Sequence, residues 1–272
     1  EGLREFAELR LGKGVVLSED TPNFVANRIG IFSTVYAINQ QEKYGLTIEE
    51  VDAASGRALA RSVTATYGTS NLAGTDVLAY AVKSHYETAV ADEMREQWRL
   101  PKWILDMVDR GYLGEKTGGS FFREKRTLCI DPETLEYRAW QNPRDPSVKE
   151  ANKIPDPVER VRKFISFDDP AARFGWDLLA ATFVYAANRV PEICSDIAQI
   201  DRSMRWGYAW DLGPFELWDA LGVKETVGRM KAEGRAVPEW VLKLAATERP
   251  SFYKKDVTGL AVWGPGQEDH KP

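Results

Sequence analysis

The sequence predicts an all-α protein made of two tandem helical repeats packed as a pseudo-dimer, with a small β-hairpin and a proline-rich linker. Three observations predict it. Apolar residues recur at helical spacing along most of the 272 residues. Capping signals open several of those stretches. Short segments of the first half reappear, in the same order, in the second.

Taken in order, Leu3, Phe6, Ala7 and Leu11 form one apolar face of a helix over residues 1–11. That face needs a cover that nothing upstream supplies, so the chain is expected to be a piece of a longer protein. Val15-Val16-Leu17, behind a glycine turn, reads as a strand with no sheet to join. Asp20-Thr21-Pro22 predicts the start of a long helix, a capping side chain followed by proline at the first helical position. Phe24, Val25, Ile29, Phe32, Val35, Tyr36 and Ile38 give that helix a broad apolar surface up to Gly45. Thr47 and Glu50 form a capping box for the next helix, ending near Leu59.

Residues 64–74 read as a polar, glycine-punctuated loop, and 76–91 and 101–110 as helices. The helical pattern breaks over 127–140. There Leu128-Cys129-Ile130 and Leu135-Glu136-Tyr137-Arg138 flank a turn-forming Asp131-Pro132-Glu133-Thr134, a hairpin pattern. Three prolines and many charges over 141–156 mark a linker, and helical periodicity returns from Pro157.

The repeat rests on five matches. Tyr36-Ala-Ile-Asn39 lies over Tyr185-Ala-Ala-Asn188, and Ile48-Glu-Glu-Val-Asp52 over Ile197-Ala-Gln-Ile-Asp201, both at an offset of 149. Asn71-Leu-Ala-Gly74 matches Asp219-Ala-Leu-Gly222 at 148. Pro101-Lys-Trp-Ile-Leu105 matches Pro238-Glu-Trp-Val-Leu242 at 137, and Ser120-Phe-Phe122 matches Ser251-Phe-Tyr253 at 131. Two such copies can cover in one chain the surface that a lone copy would offer to a second subunit.

A net charge of -5 gives no general pull toward nucleic acid or membrane. Two cysteines make no disulfide framework and point to a reducing compartment. No apolar run is long enough to span a bilayer and no signal segment opens the chain, so a cytoplasmic protein is expected.

Chemistry is sparse. There is neither a G-x-G-x-x-G nor a G-x-x-x-x-G-K-[ST] to cradle phosphates. The two histidines are His85, read as a surface or half-buried residue, and His270 in the tail, and no metal-ligand spacing surrounds either. Asn27-Arg28 is the most suggestive polar pair, because a half-buried Asn beside an apolar face must find hydrogen bonds in the protein or in a ligand. Residues 111–119, with Lys116, Thr117 and four glycines, suit either an anion cradle or a connector. Asp211 and Gly213-Pro214 read as a helix start with Phe215 and Trp218 packing inward, and Trp103 and Trp240 as core.

Three segments resemble a known family. Asp20-Thr-Pro-Asn-Phe-Val-Ala-Asn-Arg-Ile29 resembles the D-T-P-G-F-[IV]-x-N-R-[IL] that opens the C-terminal domain of 3-hydroxyacyl-CoA dehydrogenases. Leu113-Gly-Glu-Lys-Thr-Gly-Gly-Ser-Phe-Phe122 is similar to that domain's closing G-x-K-T-G-x-G-F-Y, and Leu212-Gly-Pro-Phe-Glu-Leu-Trp-Asp-Ala-Leu-Gly222 to its G-P-F-E-L-x-D-x-x-G. Tandem copies resemble the multifunctional fatty-acid oxidation proteins, in which an enoyl-CoA hydratase domain also occurs.

The resemblance implies an enzyme that oxidises 3-hydroxyacyl-CoA with NAD. The cofactor and a catalytic His-Glu pair would belong to a Rossmann-type domain absent from this chain, which itself binds no cofactor. Residues 1–19 would be the remnant of that domain, with Val15-Val16-Leu17 its last strand. Residues 20–126 and 157–255 would be the two C-terminal repeats, 127–156 the hairpin and linker, and 256–272 a tail. Asn27 matches the asparagine that helps to position the reacting site, and Thr66, Ser70 and Asn71 fall on the substrate-side loop.

Two departures from the pattern stand out. Asn23 replaces the motif's glycine, a swap that a helix start tolerates, and the first copy's G-P-F-E-L-x-D is degraded to Thr66-Tyr-Gly-Thr-Ser-Asn71. The offset of 149 sets Asn27 over Trp176, so one active site is expected, with the second repeat as scaffold. Expected partners are acyl-CoA and the NAD-binding domain, with no nucleic acid and no membrane span, in a monomer through the internal pseudo-dimer or in a homo-oligomer. The alternative is a non-catalytic helical scaffold or interaction module derived from the same family.

Overall fold

A computed structural model describes residues 2–256 and 259–267, so His270 and the rest of 268–272, in the predicted tail, lie outside the described residues. Helices dominate the described residues, with one three-stranded and one two-stranded sheet beside them. The chain divides into two compact units, Asn27–Thr182, and Glu1–Ala26 with Phe183–Pro272.

Within Asn27–Thr182 the helices are α2 (Ala26–Tyr44, whose first residue belongs to the other unit), α3 (Ile48–Ser55), α4 (Ala65–Ala73), α5 (Thr75–Thr88), α6 (Lys102–Asp109), α7 (Pro146–Ala151), α8 (Pro157–Phe164) and the first part of α9 (Pro170–Asn188). Ile29, Phe32, Val35 and Ile38 bury one face of α2, as their spacing predicts. The capping box of α3 is present: Thr47 Oγ1 accepts from the Glu50 amide, and Glu50 accepts from the Thr47 amide. The predicted hairpin is also present, as β2 (Leu128–Ile130) antiparallel to β3 (Tyr137–Ala139), with β1 (Phe122–Arg123) added on the other edge.

Four local expectations are corrected. The long helix begins at Ala26, not at Asp20, because Asn23 (φ 66°) and Phe24 (φ 51°) are left-handed and break it. Asn23 therefore stands in the motif's glycine place for a reason other than helix-start tolerance: after glycine, Asn is among the residues that accept this conformation most readily. Asn23→Val is expected to destabilise the chain by about 1–2 kcal/mol, with Asn23→Gly neutral or better. Thermal melts of the two variants check this.

The predicted loop of 64–74 is helix over Ala65–Ala73. Thr66, Ser70 and Asn71 hid the helical period because they are polar yet buried, each bonded inside. Val15, Val16 and Leu17 form no strand. An isolated extended segment has no ladder to close, and it is held by single contacts, Glu19 N–H to Ile193 O (3.0 Å) and Cys194 Sγ to Leu17 O (3.3 Å). The linker contains α7, fastened by Ser147, whose amide and hydroxyl both donate to Asp169 (2.9 and 2.7 Å).

The unit formed by Glu1–Ala26 and Phe183–Pro272 starts with α1 (Gly2–Glu5), which runs on as a π-helical turn Phe6–Arg10. The apolar residues Leu3, Phe6, Leu9 and Leu11 are exposed there. The unit also holds the end of α9, then α10 (Ile197–Tyr208), α11 (Pro214–Leu221), α12 (Val223–Ala232), α13 (Glu239–Ala245) and a β4 (Tyr253–Asp256) to β5 (Gly259–Val262) hairpin. Gly213 caps α11 and Pro214 occupies its first position, with Phe215 and Trp218 fully buried. A side chain at 213 would collide with Asp201, about 2.3 Å from a Cβ there, so only glycine fits.

The paired segments of the two halves are wired alike. Asp52 accepts from the Tyr67 and Gly68 amides (2.6 and 3.0 Å), and Asp201 from those of Phe215 and Glu216 (3.0 and 2.8 Å). Asn71 holds the Ser120 and Phe122 amides (2.8 and 3.4 Å), and Asp219 those of Phe252 and Tyr253 (2.7 and 3.0 Å). Tyr67, Trp103 and Phe121 form a ring cluster matched by Phe215, Trp240 and Phe252. Finally, Thr182 Oγ1 donates to Ser33 Oγ (3.3 Å), two residues 149 apart, the offset of the sequence matches.

Candidate functional site

The first turn of α2 separates the Asn27-Arg28 pair. Successive helix residues point about 100° apart, and here Asn27 is exposed while Arg28 is buried. Asn27 is thus more open than the half-buried position expected for it. Arg28 Nη2 donates to Asp92 Oδ2 at 3.2 Å, both side chains being almost fully inaccessible. The same Asp92 oxygen lies 2.9 Å from His85 Nε2, and the Met94 amide donates to Asp92 Oδ1 (2.8 Å). The His85 ring lies against Trp98 (centroids 3.7 Å), and Trp98 also meets Phe32 one turn along α2.

His85 is therefore not the surface or half-buried residue expected: it is fully buried in the last turn of α5. The signal was present in the sequence, since Leu78, Val82 and His85 share one helical face and the first two are core. A buried Arg28 within the apolar stripe likewise called for an acid, although nothing in the spacing pointed to Asp92. With no exposure, the His85 ring cannot reach an external substrate. This cluster can hold a shape, but it cannot transfer protons to a ligand.

Thr66, Ser70 and Asn71 sit on α4. Thr66 and Ser55 share a hydrogen bond (2.8 Å), and Ser70 Oγ donates to Thr66 O (2.9 Å). The Asn71 side-chain oxygen gathers the Ser120 amide and hydroxyl and the Phe122 amide, tying α4 to the glycine loop. Asn71 is the member of this trio that lines a groove of about 460 Å³, together with Thr64, Gly118, Gly119, Arg123 and Lys125. The loop of 111–119 is anchored there by Lys116, which pairs with Asp76 (2.6 Å) at the start of α5.

The structure does not bring Asn27 and Asn71 to one place. The groove is tied to Asp76 and the Asn27 turn to His85, nine residues and about 14 Å apart along α5. A larger groove of about 570 Å³ passes Ile38, Trp103, Pro132 and Arg138, but its Arg138 is already paired with Glu49.

Among the described residues no group of three or more His, Cys, Asp or Glu could hold a metal. Cys129 and Cys194 are both free and buried, and burial pushes both thiols up, away from reactivity. No described helix is long and apolar enough to cross a membrane.

Residues 24–124 match the family model of the 3-hydroxyacyl-CoA dehydrogenase C-terminal domain. A Bacillus subtilis protein named "Probable 3-hydroxyacyl-CoA dehydrogenase" is 35% identical over 253 residues, 92% of this chain and 32% of its own length. Over residues 24–124 the chain is similar to the C-terminal domain of 3-hydroxyacyl-CoA dehydrogenases, and over most of its length to part of a relative of that name. A Deinococcus radiodurans relative of the same name is 43% identical over 45% of this chain and 34% of its own. A Rickettsia prowazekii relative named "Putative fatty acid oxidation complex trifunctional enzyme" is 26% identical over 80% of this chain and 30% of its own. The chain thus spans about a third of the length of the curated relatives it matches. The crystal structure of 3-hydroxybutyryl-CoA dehydrogenase from Escherichia coli shares the fold, with a TM-score of 0.59 at 17% identity over 89% of this chain and 64% of that one.

Both Asn27 and Asn71 lie inside the span that matches the C-terminal domain model. The dinucleotide that the family resemblance implies needs a glycine-rich turn between a parallel strand and a helix. The sheets among the described residues are two small antiparallel ones.

Proposed function

We propose that this chain is the substrate-facing helical part of an enzyme that oxidises 3-hydroxyacyl-CoA to 3-oxoacyl-CoA in fatty-acid β-oxidation. In this reading NAD and the proton-transferring pair sit on another part of the parent protein, and this part alone is inactive. One observation carries the reading. Asn27, in a nearly intact family motif, is exposed on the first turn of α2 while the adjoining Arg28 is locked into the interior. An exposed amide on a fixed backbone can orient a substrate oxygen without itself moving a proton.

The chain also reads as a tandem duplication. The matched capping aspartates, the matched aromatic clusters and the Ser33–Thr182 contact support it. The counterpart of Asn27 is Trp176, which is buried, so the second copy serves as scaffold. The parent is proposed as a cytoplasmic protein that takes acyl-CoA and contains an NAD-binding domain.

Reduction of acetoacetyl-CoA by NADH tests the proposal, with this chain and the full-length gene product measured side by side. The expected result is activity in the full-length protein and none in this chain. Inactivity of both, with each one folded, would favour the non-catalytic scaffold.

A further inference from the structure

We infer that Asp92 and His85 are positioning residues that fix the first turn of α2 and thereby aim Asn27 outward. The inference rests on the proposed role of Asn27, and it adds two residues that touch no substrate. Their geometry is that of a clamp. Arg28 is held by Asp92 Oδ2 (3.2 Å), the same oxygen is held by His85 (2.9 Å), and the other oxygen takes the Met94 amide (2.8 Å). Trp98 backs His85 and reaches Phe32, so α2 is gripped at Arg28 and again one turn later on the same face. Asn27, about 100° round the helix from Arg28, has its direction set by that grip.

A guanidinium and a carboxylate taken fully out of water stabilise a fold poorly compared with apolar packing, so such a pair suits a task of geometry better than one of stability. The second half of the chain supports that assignment. At the offset of 149, Trp176 replaces Asn27 and Asp177 replaces Arg28, so the asparagine and its anchor are exchanged together. Asp177 is used differently, accepting from Tyr36 (3.0 Å), Tyr44 (2.8 Å) and Lys43 (3.1 Å). The clamp accompanies the exposed asparagine, whereas the capping aspartates and aromatic clusters, which serve the fold alone, occur in both halves.

Two measurements test this together. Hydrogen exchange on this chain, with and without Asp92→Asn, should show faster exchange confined to the amides of residues 30–34, with α10 unchanged. In the full-length gene product, Asp92→Asn should lower kcat roughly 10- to 100-fold with KM nearly unchanged. The same change made on top of Asn27→Ala should cost less than about two-fold, because the two residues act through one contact. Should Asp92→Asn fail to fold, His85→Gln, which keeps a donor toward Asp92, and His85→Leu, which does not, carry the same cycle, with activity retained only in the glutamine variant.

Unchanged exchange at 30–34 would overturn the clamp. Equal losses in the presence and absence of Asn27 would reduce Asp92 to a structural residue and overturn the positioning role. An inactive wild-type full-length protein would instead overturn the dehydrogenase reading, and the exchange experiment would still decide whether the clamp holds α2.

Discussion

Asn27→Ala in the full-length gene product is expected to lower turnover on a 3-oxoacyl-CoA substrate by roughly 100-fold, with little change in melting temperature. Both halves of that expectation come from burial. Asn27 is exposed, and surface substitutions of this kind usually change stability by less than about 0.5 kcal/mol. The backbone that carries it is anchored by the buried Arg28, which the substitution leaves intact. A loss confined to turnover would therefore report a missing orienting hydrogen bond rather than a damaged helix. Steady-state kinetics with a parallel thermal melt decide the matter, and wild-type turnover in the variant would remove Asn27 from the site.

The second large effect is on stability. Asp201→Ala is expected to cost about 3–5 kcal/mol. It strands three donors: the Phe215 and Glu216 amides at the start of α11 and the Tyr253 hydroxyl (2.6 Å). Each was paid for in desolvation when the chain folded. Asp201 also titrates. Burial pushes its carboxyl up to about 8, against the pull of the Tyr253 hydroxyl and the backbone amides. Burial likewise raises Asp52 to about 7, against Arg126.

The sign follows from proton counts. Between the unfolded value near 4 and the raised folded values, the folded state binds more protons than the unfolded one. Stability from these groups is therefore full below pH about 4 and is lost as pH rises through 7 to 8. Urea unfolding at pH 5, 7 and 9 should show falling midpoints, with a shallower fall in Asp201→Asn. Midpoints that rise over this range would mean that the amides and Arg126 outweigh burial.

Much of the fold was legible because its signals are local. The capping box of Thr47 and Glu50, the Pro157 and Pro214 helix starts and the Cys129 hairpin each depend on neighbours a few residues away. The matched segments of the two halves also carry similar hydrogen bonds, as at Asp52 and Asp201. What was missed is polar and buried. Thr66, Ser70 and Asn71 looked like a loop because pattern reading equates polar with exposed, yet their partners lie up to about fifty residues away. Val15-Val16-Leu17 looked like a strand because composition cannot show whether a sheet is there to receive it.

The candidate site divides along the same line. The sequence by itself determined the helical class and the similarity to the C-terminal domain model, and it proposed the tandem pattern and Asn27, since each is carried by short-range order in the chain. Only the tertiary structure decided that Asn27 faces out while Arg28 faces in, that His85 is buried on Asp92, and that Asn71 lies away from Asn27 along α5. The physical reason is that hydrogen bonds and charge pairs between distant residues leave no periodic trace. Their donors and acceptors can be matched only once packing has brought them within about 3 Å of one another.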